Sequence, residues 1–493
     1  MTDQDRRNIT VVRAMYTGDE AERAAIARDN TLFTGDIMMS ATSSLTLAQV
    51  AGLRSAMQGA VLIPGDPGYD AARVIWNGMI DRRPAVIARC TAAADVVAAI
   101  AFAREHDLLI AVRGGGHSLP GHSVNDGGIM IDLAPMKRVE VDAPQRTARA
   151  QPGLLWGELD GATHTHGLAV TGGQISHTGI AGLTLGGGIG WLMRKYGLTC
   201  DNLMEAEVVT ADGQIVRANA TEHPDLFWGL RGGGGNFGVV TEFSYRLHPV
   251  AFVFGGLVAF PLPAGKPVLQ ALRDYLPSVP DELTTTTFLL TTPDGHKALG
   301  VGLCYCGDPK DGEPWLAPIH QMGPVVMEQV GVMPYPALQS MLDQVAAPGR
   351  RYYLKSNFLD ELRDEAMDVL IDGYLRVPSP LTAVLLVQMG GAVHRADRAS
   401  TAYYHRDATL SFSAFASWTE PAEDEANIGW TRQLWQDLRP YMPGSVYVNE
   451  LVDEGEERVR EAYGPAYDRL ATVKKQYDPD NVFHLNQNIR PAA

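Results

Sequence analysis

Cysteine is scarce in this chain: 493 residues carry four, Cys90, Cys200, Cys304 and Cys306. No C-x-x-C pair or regular spacing links them, so neither a disulfide framework nor a thiolate metal site is expected, and a reducing compartment suits the chain. Cys304 and Cys306 stand two apart in an expected strand and so share a face. Basic excess is lacking too. Lys and Arg number 41 against 57 Asp and Glu, a formal net charge of −16, which argues against nucleic acid or an anionic membrane as the main partner. No apolar run reaches the roughly 18 residues of a membrane span, and residues 1–7 lack the apolar core of a signal peptide. The expectation is a cytoplasmic protein, monomeric or homodimeric, with no nucleic-acid and no membrane partner. His164 and His166 lie two apart in an expected helix, hence on different faces, and no metal site is expected.

What the chain has in quantity is glycine, 51 residues, and three clusters stand out. The first is Arg113-Gly114-Gly115-Gly116-His117-Ser118, fed by the apolar run 108–112. Three bare residues let backbone N–H groups close around an anion such as a pyrophosphate, with a histidine held beside it. An ordinary tight turn with a surface imidazole is the plain alternative. The second cluster spans 179–190, where Gly179, Gly182, Gly186, Gly187, Gly188 and Gly190 leave backbone open to a flat ring or a pyrophosphate. The third is Arg231-Gly232-Gly233-Gly234-Gly235-Asn236-Phe237-Gly238. It contains a formal G-x-G-x-x-G match at Gly233, Gly235 and Gly238. A nicotinamide fingerprint must open a helix, and this one precedes the β-branched run 239–243, so a Rossmann site is rejected.

The length suggests two to four domains, at roughly 150 residues each. A helical arm at 19–28 and a helix at 46–57 precede the break Pro64-Gly65-Asp66-Pro67-Gly68. From Pro84 the pattern reads strand, helix (92–106), strand, glycine loop, a βαβ-like opening. After Pro249 the texture becomes that of a mostly antiparallel sheet with helices between strands. A hairpin is expected around Pro293-Asp294-Gly295, and the strand 410–418 alternates Leu, Phe, Ala, Ala, Trp against Ser, Ser, Phe, Ser.

Four elements, taken in order, resemble one known family. They are Arg113 to Ser118; 179–190 with Tyr196-Gly197-Leu198; 232–243; and Tyr477-Asp478-Pro479 on to Asn488. Together they are similar to the berberine-bridge-enzyme-like branch of the FAD-linked oxidases, in the vanillyl-alcohol-oxidase and p-cresol-methylhydroxylase superfamily. The resemblance implies an α+β, two-domain p-cresol-methylhydroxylase-type FAD-binding fold, with a substrate domain of antiparallel sheet backed by helices. Its expected division is an N-terminal arm (1–45), an FAD-binding domain (46–250), a substrate domain (251–445) and a C-terminal segment completing the FAD domain (446–493).

The same resemblance implies the site. FAD would be bonded covalently through His117. No second, cysteinyl link is expected, because Ile175 stands where some members carry that cysteine. Arg113, Gly114, Gly115, Gly116 and Ser118 would hold the cofactor from the first loop, and Gly173, Thr178, Gly179, Gly182, Leu183, Gly188 and Gly190 from the second. Gly238, Val240, Tyr447, Asn449, Asn486 and Asn488 would complete its binding. Members often place a catalytic tyrosine after the asparagine of a Tyr-x-Asn-Tyr motif. This chain reads Tyr447-Val448-Asn449-Glu450, so Glu450 is the expected base and Gln388 a second polar group on the catalytic side. Glu450 could instead belong to the acidic run at 453–457. Tyr403-Tyr404-His405-Arg406 is expected to be structural or at the pocket rim, and His177 to stand behind the cofactor. The expected activity is hydride transfer from a small organic substrate (alcohol, sugar, amine or polycyclic secondary metabolite) to FAD, with molecular oxygen as acceptor. A dehydrogenase of the same fold and a catalytically silent flavin-binding protein stay open.

Overall fold

The computed structural model describes residues 45–493; the arm expected at 19–28 lies outside them. Thr46 closes a capping box with Gln49 at the start of the helix Leu47–Ala56.

The first sheet holds β1 (Val61–Leu62), β2 (Val86–Arg89), β3 (Ile110–Arg113) and β4 (Ile129–Asp132) in the order β1-β2-β4-β3. β2 and β3 both run parallel to β4. The expected strand–helix–strand opening is therefore present, but its two strands are not neighbours, because β4 inserts between them. The helix Ala93–Glu105 lays Val96, Ala99, Ile100 and Ala103 on Val86, Ala88, Ile110, Ile129 and Ile131. The glycine loop leaves the carboxyl end of β3, the end where parallel sheets bind ligands.

The second sheet follows with β5 (Val139–Asp142), β6 (Thr147–Ala150), β8 (Leu203–Val209), β9 (Ile215–Asn219) and β10 (Val239–Arg246), paired antiparallel as β5-β6-β10-β8-β9. β7 (Leu168–Ala169) and β11 (His248–Pro249) form a small ladder of their own. The core on this sheet includes Trp156, Phe243 and Tyr245, together with Leu451, Tyr463, Leu470 and Ile489 from the tail.

The third sheet has seven antiparallel strands: β12 (Phe252–Pro261), β13 (Leu283–Thr291), β14 (Lys297–Tyr305), β15 (Met327–Pro334), β16 (Arg351–Leu359), β17 (Ala383–Gln388) and β18 (Leu410–Trp418), in the order β15-β12-β14-β13-β17-β18-β16. The expected hairpin is β13–β14. Strand alternation gives this sheet two faces. Leu289, Val384, Leu386, Phe412 and Ala414 face a core shared with the helices Gly265–Tyr275, Asp364–Leu375 and Asp424–Leu438. Phe288, Leu354, Leu385, Val387, Ser413 and Phe415 point the other way, into the cavity described below. Both faces of β18 are buried, which is why its two alternating sets differ in chemistry while neither is charged.

One buried contact makes stability depend on pH. Gln339 Nε2 donates to Asp160 Oδ2 at 3.0 Å, whereas Asp160 Oδ1 and Gln339 Oε1 are both buried without a partner. A charged carboxylate held there by a single side-chain hydrogen bond is costly, and protonation removes that charge. Burial pushes this carboxyl up to about 7. The folded state thus keeps a proton that the unfolded chain releases above about 4, and stability falls as pH rises from there through 7. Asp160→Asn, neutral at every pH, is expected to raise the melting temperature at pH 8, relieving a cost on the order of 4 kcal/mol, and to raise it much less at pH 5, where the cost is on the order of 1.5 kcal/mol. Equal effects at the two pH values would contradict this assignment.

Candidate active site

A cavity of about 430 Å³ collects the sequence's dispersed signals. Its walls come from the first glycine loop, the segments at 173–189 and 234–240, the inner face of the seven-stranded sheet and the tail from Tyr447 to Gln487.

Gly114, Gly115, Gly116, His117 and Ser118 all line it. The loop is braced from behind, where Trp76 N–H donates to Gly116 O at 3.1 Å. Trp76 also stacks on the His117 ring, centroids 4.4 Å apart, and on Tyr352 at 3.8 Å. At its edge, His117 Nε2 lies 2.8 Å from His177 Nδ1. Burial first, and the neighbouring His177 second, hold the His117 imidazole well below its ordinary value. It is therefore neutral at pH 7, the form in which a ring nitrogen is a nucleophile. Arg113 does not line the cavity; its guanidinium turns back to Ala72 O and toward Asp132. Its part is to brace the loop.

The second glycine cluster divides in two. Gly173, Thr178, Gly179, Gly182 and Leu183 line the cavity. Gly182 sits in an unexpected short helix, Ile180–Leu185, where an added Cβ would meet nothing within 4 Å. Gly188 and Gly190 do not line it. A Cβ on Gly190 would come within 1.6 Å of Gly172 O, and one on Gly188 within 2.1 Å of Thr199 Oγ1. Those two are glycines because protein packs against them. Gly238 is likewise occupied by Val209 O, 2.6 Å from its would-be Cβ. The third cluster nevertheless contributes Gly234, Gly235 and Asn236 to the wall, and β10 after it contributes Val240.

In the tail, the Tyr447 hydroxyl oxygen accepts from Gly188 N–H at 2.9 Å and from Asn449 Nδ2 at 2.8 Å, while Asn449 also donates to Leu183 O. Tyr447, Asn449 and Asn486 line the cavity; Asn488 does not. Tyr403 and Arg406 stand outside it as well. The Arg406 guanidinium is fully buried and forks onto Asp201 at 2.6 and 3.0 Å, a structural tie.

Glu450 ends the 3₁₀ turn Val448–Glu450 and faces the cavity. It takes no part in the acidic run, whose Glu454 pairs with Lys355. Its Oε2 accepts from Ser356 Oγ at 2.7 Å and Ser413 Oγ at 2.6 Å. The two serines are cross-strand partners on β16 and β18, so their hydroxyls converge on one oxygen. Oε1 has no hydrogen-bond partner among the described residues. Burial raises the carboxyl above its ordinary value, against the lowering effect of the two hydroxyls.

Gln388 is a correction. It falls on the same parity of β17 as Val384 and Leu386, the helix-facing side, and does not line the cavity. Its Oε1 accepts from Thr285 Oγ1 and its Nε2 donates to Leu276 O. A one-residue offset in a strand reverses the face. Sequence reasoning also missed Trp76, Ser356 and Ser413. For Ser413 a signal existed in the serine face of 410–418; for Trp76 and Ser356 there was none.

Residues 84–219 match the FAD binding domain family, and residues 446–490 match the berberine and berberine-like family. An FAD-linked oxidoreductase of Dictyostelium discoideum is 34% identical over 421 residues, covering 84% of this chain and 91% of that protein. The chain belongs to the berberine-like FAD-linked oxidoreductases. An (R)-6-hydroxynicotine oxidase of Paenarthrobacter nicotinovorans is 33% identical over 463 residues, 88% of this chain and 97% of its own. The crystal structure of 6-hydroxy-D-nicotine oxidase from Arthrobacter nicotinovorans superposes with a TM-score of 0.83 at 30% identity, covering 88% of this chain and 98% of that one. The two-domain α+β fold and an FAD-dependent oxidoreductase activity follow.

This berberine-like oxidoreductase has a cavity that suits FAD. Ser123 Oγ and Asn486 Oδ1 belong to cavity-lining residues yet are buried without a partner, so a polar ligand can satisfy them. Gly182 and Gly235 leave open space where a side chain would stand. Among the described residues no helix is long and apolar enough to cross a membrane, and no His, Cys, Asp and Glu group could hold a metal ion.

Proposed function

We propose that this protein is an oxidase in which FAD is tethered through His117, Glu450 removes the substrate's proton, and molecular oxygen is the final acceptor. FAD, when bound, supplies the two-electron acceptor. The observation that carries this reading is that His117 and Glu450 open onto the same cavity. A neutral imidazole on the cavity wall suits a tether, and a desolvated carboxylate with one uncommitted oxygen suits a base.

The backbone of Gly114–Ser118, with Gly179, Gly235 and Asn486, would hold the cofactor. Ile175 lines the cavity without a thiol, which supports a single tether. On the sheet side the walls are Phe288, Leu354, Leu385, Val387 and Phe415, with Gln174, Ser413 and Glu450 as polar points. A sugar would leave its hydroxyls facing hydrocarbon there, which costs free energy for each unpaired group. The walls favour a compact ring-bearing amine or hydroxylated aromatic. The proposed division keeps 46–250 with 446–493 as the cofactor unit and 251–445 as the substrate unit; the shared core of tail and second sheet supports it.

Anaerobic mixing with a panel of ring amines, hydroxylated aromatics and sugars tests the reading. Bleaching of the flavin by ring compounds and not by sugars, followed by fast reoxidation in air, is expected. Slow reoxidation would make the protein a dehydrogenase, and no bleaching by any compound would contradict the catalytic reading.

A further inference from the structure

The contact between His117 and His177 goes beyond a tether, and its directionality can be read from chemistry. His177 Nε2 lies 3.5 Å from Asp343 O, and a carbonyl can only accept, which assigns the hydrogen to Nε2 from the contact. In a neutral His177 the other nitrogen, Nδ1, is then an acceptor. It lies 2.8 Å from His117 Nε2, which must be the donor. The lone pair of His117 is thereby confined to Nδ1, which has no hydrogen-bond partner among the described residues.

We propose that His177 is the positioning residue that makes His117 nucleophilic, fixing its tautomer and accepting its proton as the flavin bond forms. This rests on the covalent reading above. Attachment makes one bond, from His117 Nδ1 to the flavin's ring-methyl carbon, and breaks one methyl C–H bond and the imidazole N–H bond. The Nε2 proton passes to His177 Nδ1 and on to solvent, as does the methyl proton. The two electrons pass to the flavin and then to dioxygen, which takes up two protons and leaves as hydrogen peroxide.

The surroundings are built to hold His177 in place. Its loop is clamped on both sides of the residue, with Gly157 N–H donating to Ser176 O at 2.7 Å and Trp156 N–H to Thr178 O at 2.9 Å. Ser176 adds two bonds to the Asp343 carboxylate, from N–H at 2.8 Å and from Oγ at 2.5 Å. On the other side Trp76 stacks on the His117 ring, so that ring cannot turn away. Burial, which keeps His117 neutral, supports the same arrangement.

The test uses full-length protein produced with limiting riboflavin and then supplied with FAD, following covalent flavin by in-gel fluorescence after denaturation. His177→Ala is expected to slow attachment at least ten-fold while acid-releasable FAD still binds. His177→Gln, whose amide oxygen can accept from Nε2–H, is expected to recover most of the tautomer effect but not proton uptake, giving an intermediate rate. Attachment by His177→Ala at the wild-type rate, or His177→Gln no faster than His177→Ala, would overturn the proposal. Circular dichroism of both variants separates these outcomes from misfolding, and if His177→Ala misfolds, the His177→Gln rate decides, wild-type speed overturning the proposal. Wild-type protein with only releasable flavin would instead overturn the covalent reading itself.

Discussion

Replacing Glu450 with glutamine is expected to slow anaerobic flavin reduction by about 10²- to 10⁴-fold, with flavin content unchanged. Glutamine keeps the size of the side chain and can still accept from Ser356 and Ser413, so the cavity wall is preserved. What it loses is the basic oxygen. Because burial raises the Glu450 carboxyl, the deprotonated, active form accumulates only as pH rises through that raised value. Wild-type reduction should therefore climb with pH and level off, and the Glu450→Gln profile should lack that limb. Stopped-flow flavin absorbance across a pH series measures both. A variant that reduces at the wild-type rate removes Glu450 as the base.

Lys474→Met is expected to destabilise the fold by about 3–5 kcal/mol and to lower the flavin-to-protein ratio together with the melting temperature. Lys474 and Asp478 are both completely buried and form an ion pair at 2.6 Å. The ammonium also donates to Asn236 O at 2.7 Å and Phe483 O at 2.8 Å, while Asp478 accepts from the backbone N–H groups of Val482 and Phe483. Methionine would leave a carboxylate alone in the core, the costly half of breaking such a pair. It would also untie the third glycine cluster from the tail just where Asn236, Phe483 and Asn486 form the cavity wall. Unchanged melting and flavin content would show that this knot holds neither the fold nor the site.

The parts of the site legible in the sequence were those written in backbone chemistry. Glycine runs after a strand mark positions where side chains are excluded, and they pointed to Gly114, Gly115, Gly116 and Gly182, which line the cavity; Asn486, which the family resemblance pointed to, lines it as well. Gly188, Gly190 and Gly238 do not line the cavity, and a glycine demanded by a neighbouring carbonyl or hydroxyl reads in sequence the same as one demanded by a ligand. Long-range pairing was not legible. The insertion of β4 between β2 and β3, and the meeting of Ser356 with Ser413 over Glu450, depend on register between distant segments. Gln388 shows the cost of that gap: its strand was identified, but its face was set by parity against β13 and β18.

The most direct measurement is the intact mass of denatured wild-type protein beside His117→Ala, with peptide mapping of the flavin. The expected result is a wild-type chain heavier by one FAD, the added mass on the peptide containing His117, and a His117→Ala chain at its unmodified mass. A wild-type chain without the added mass, or flavin still bonded to His117→Ala, would contradict the tether and the orientation of the whole site built from it.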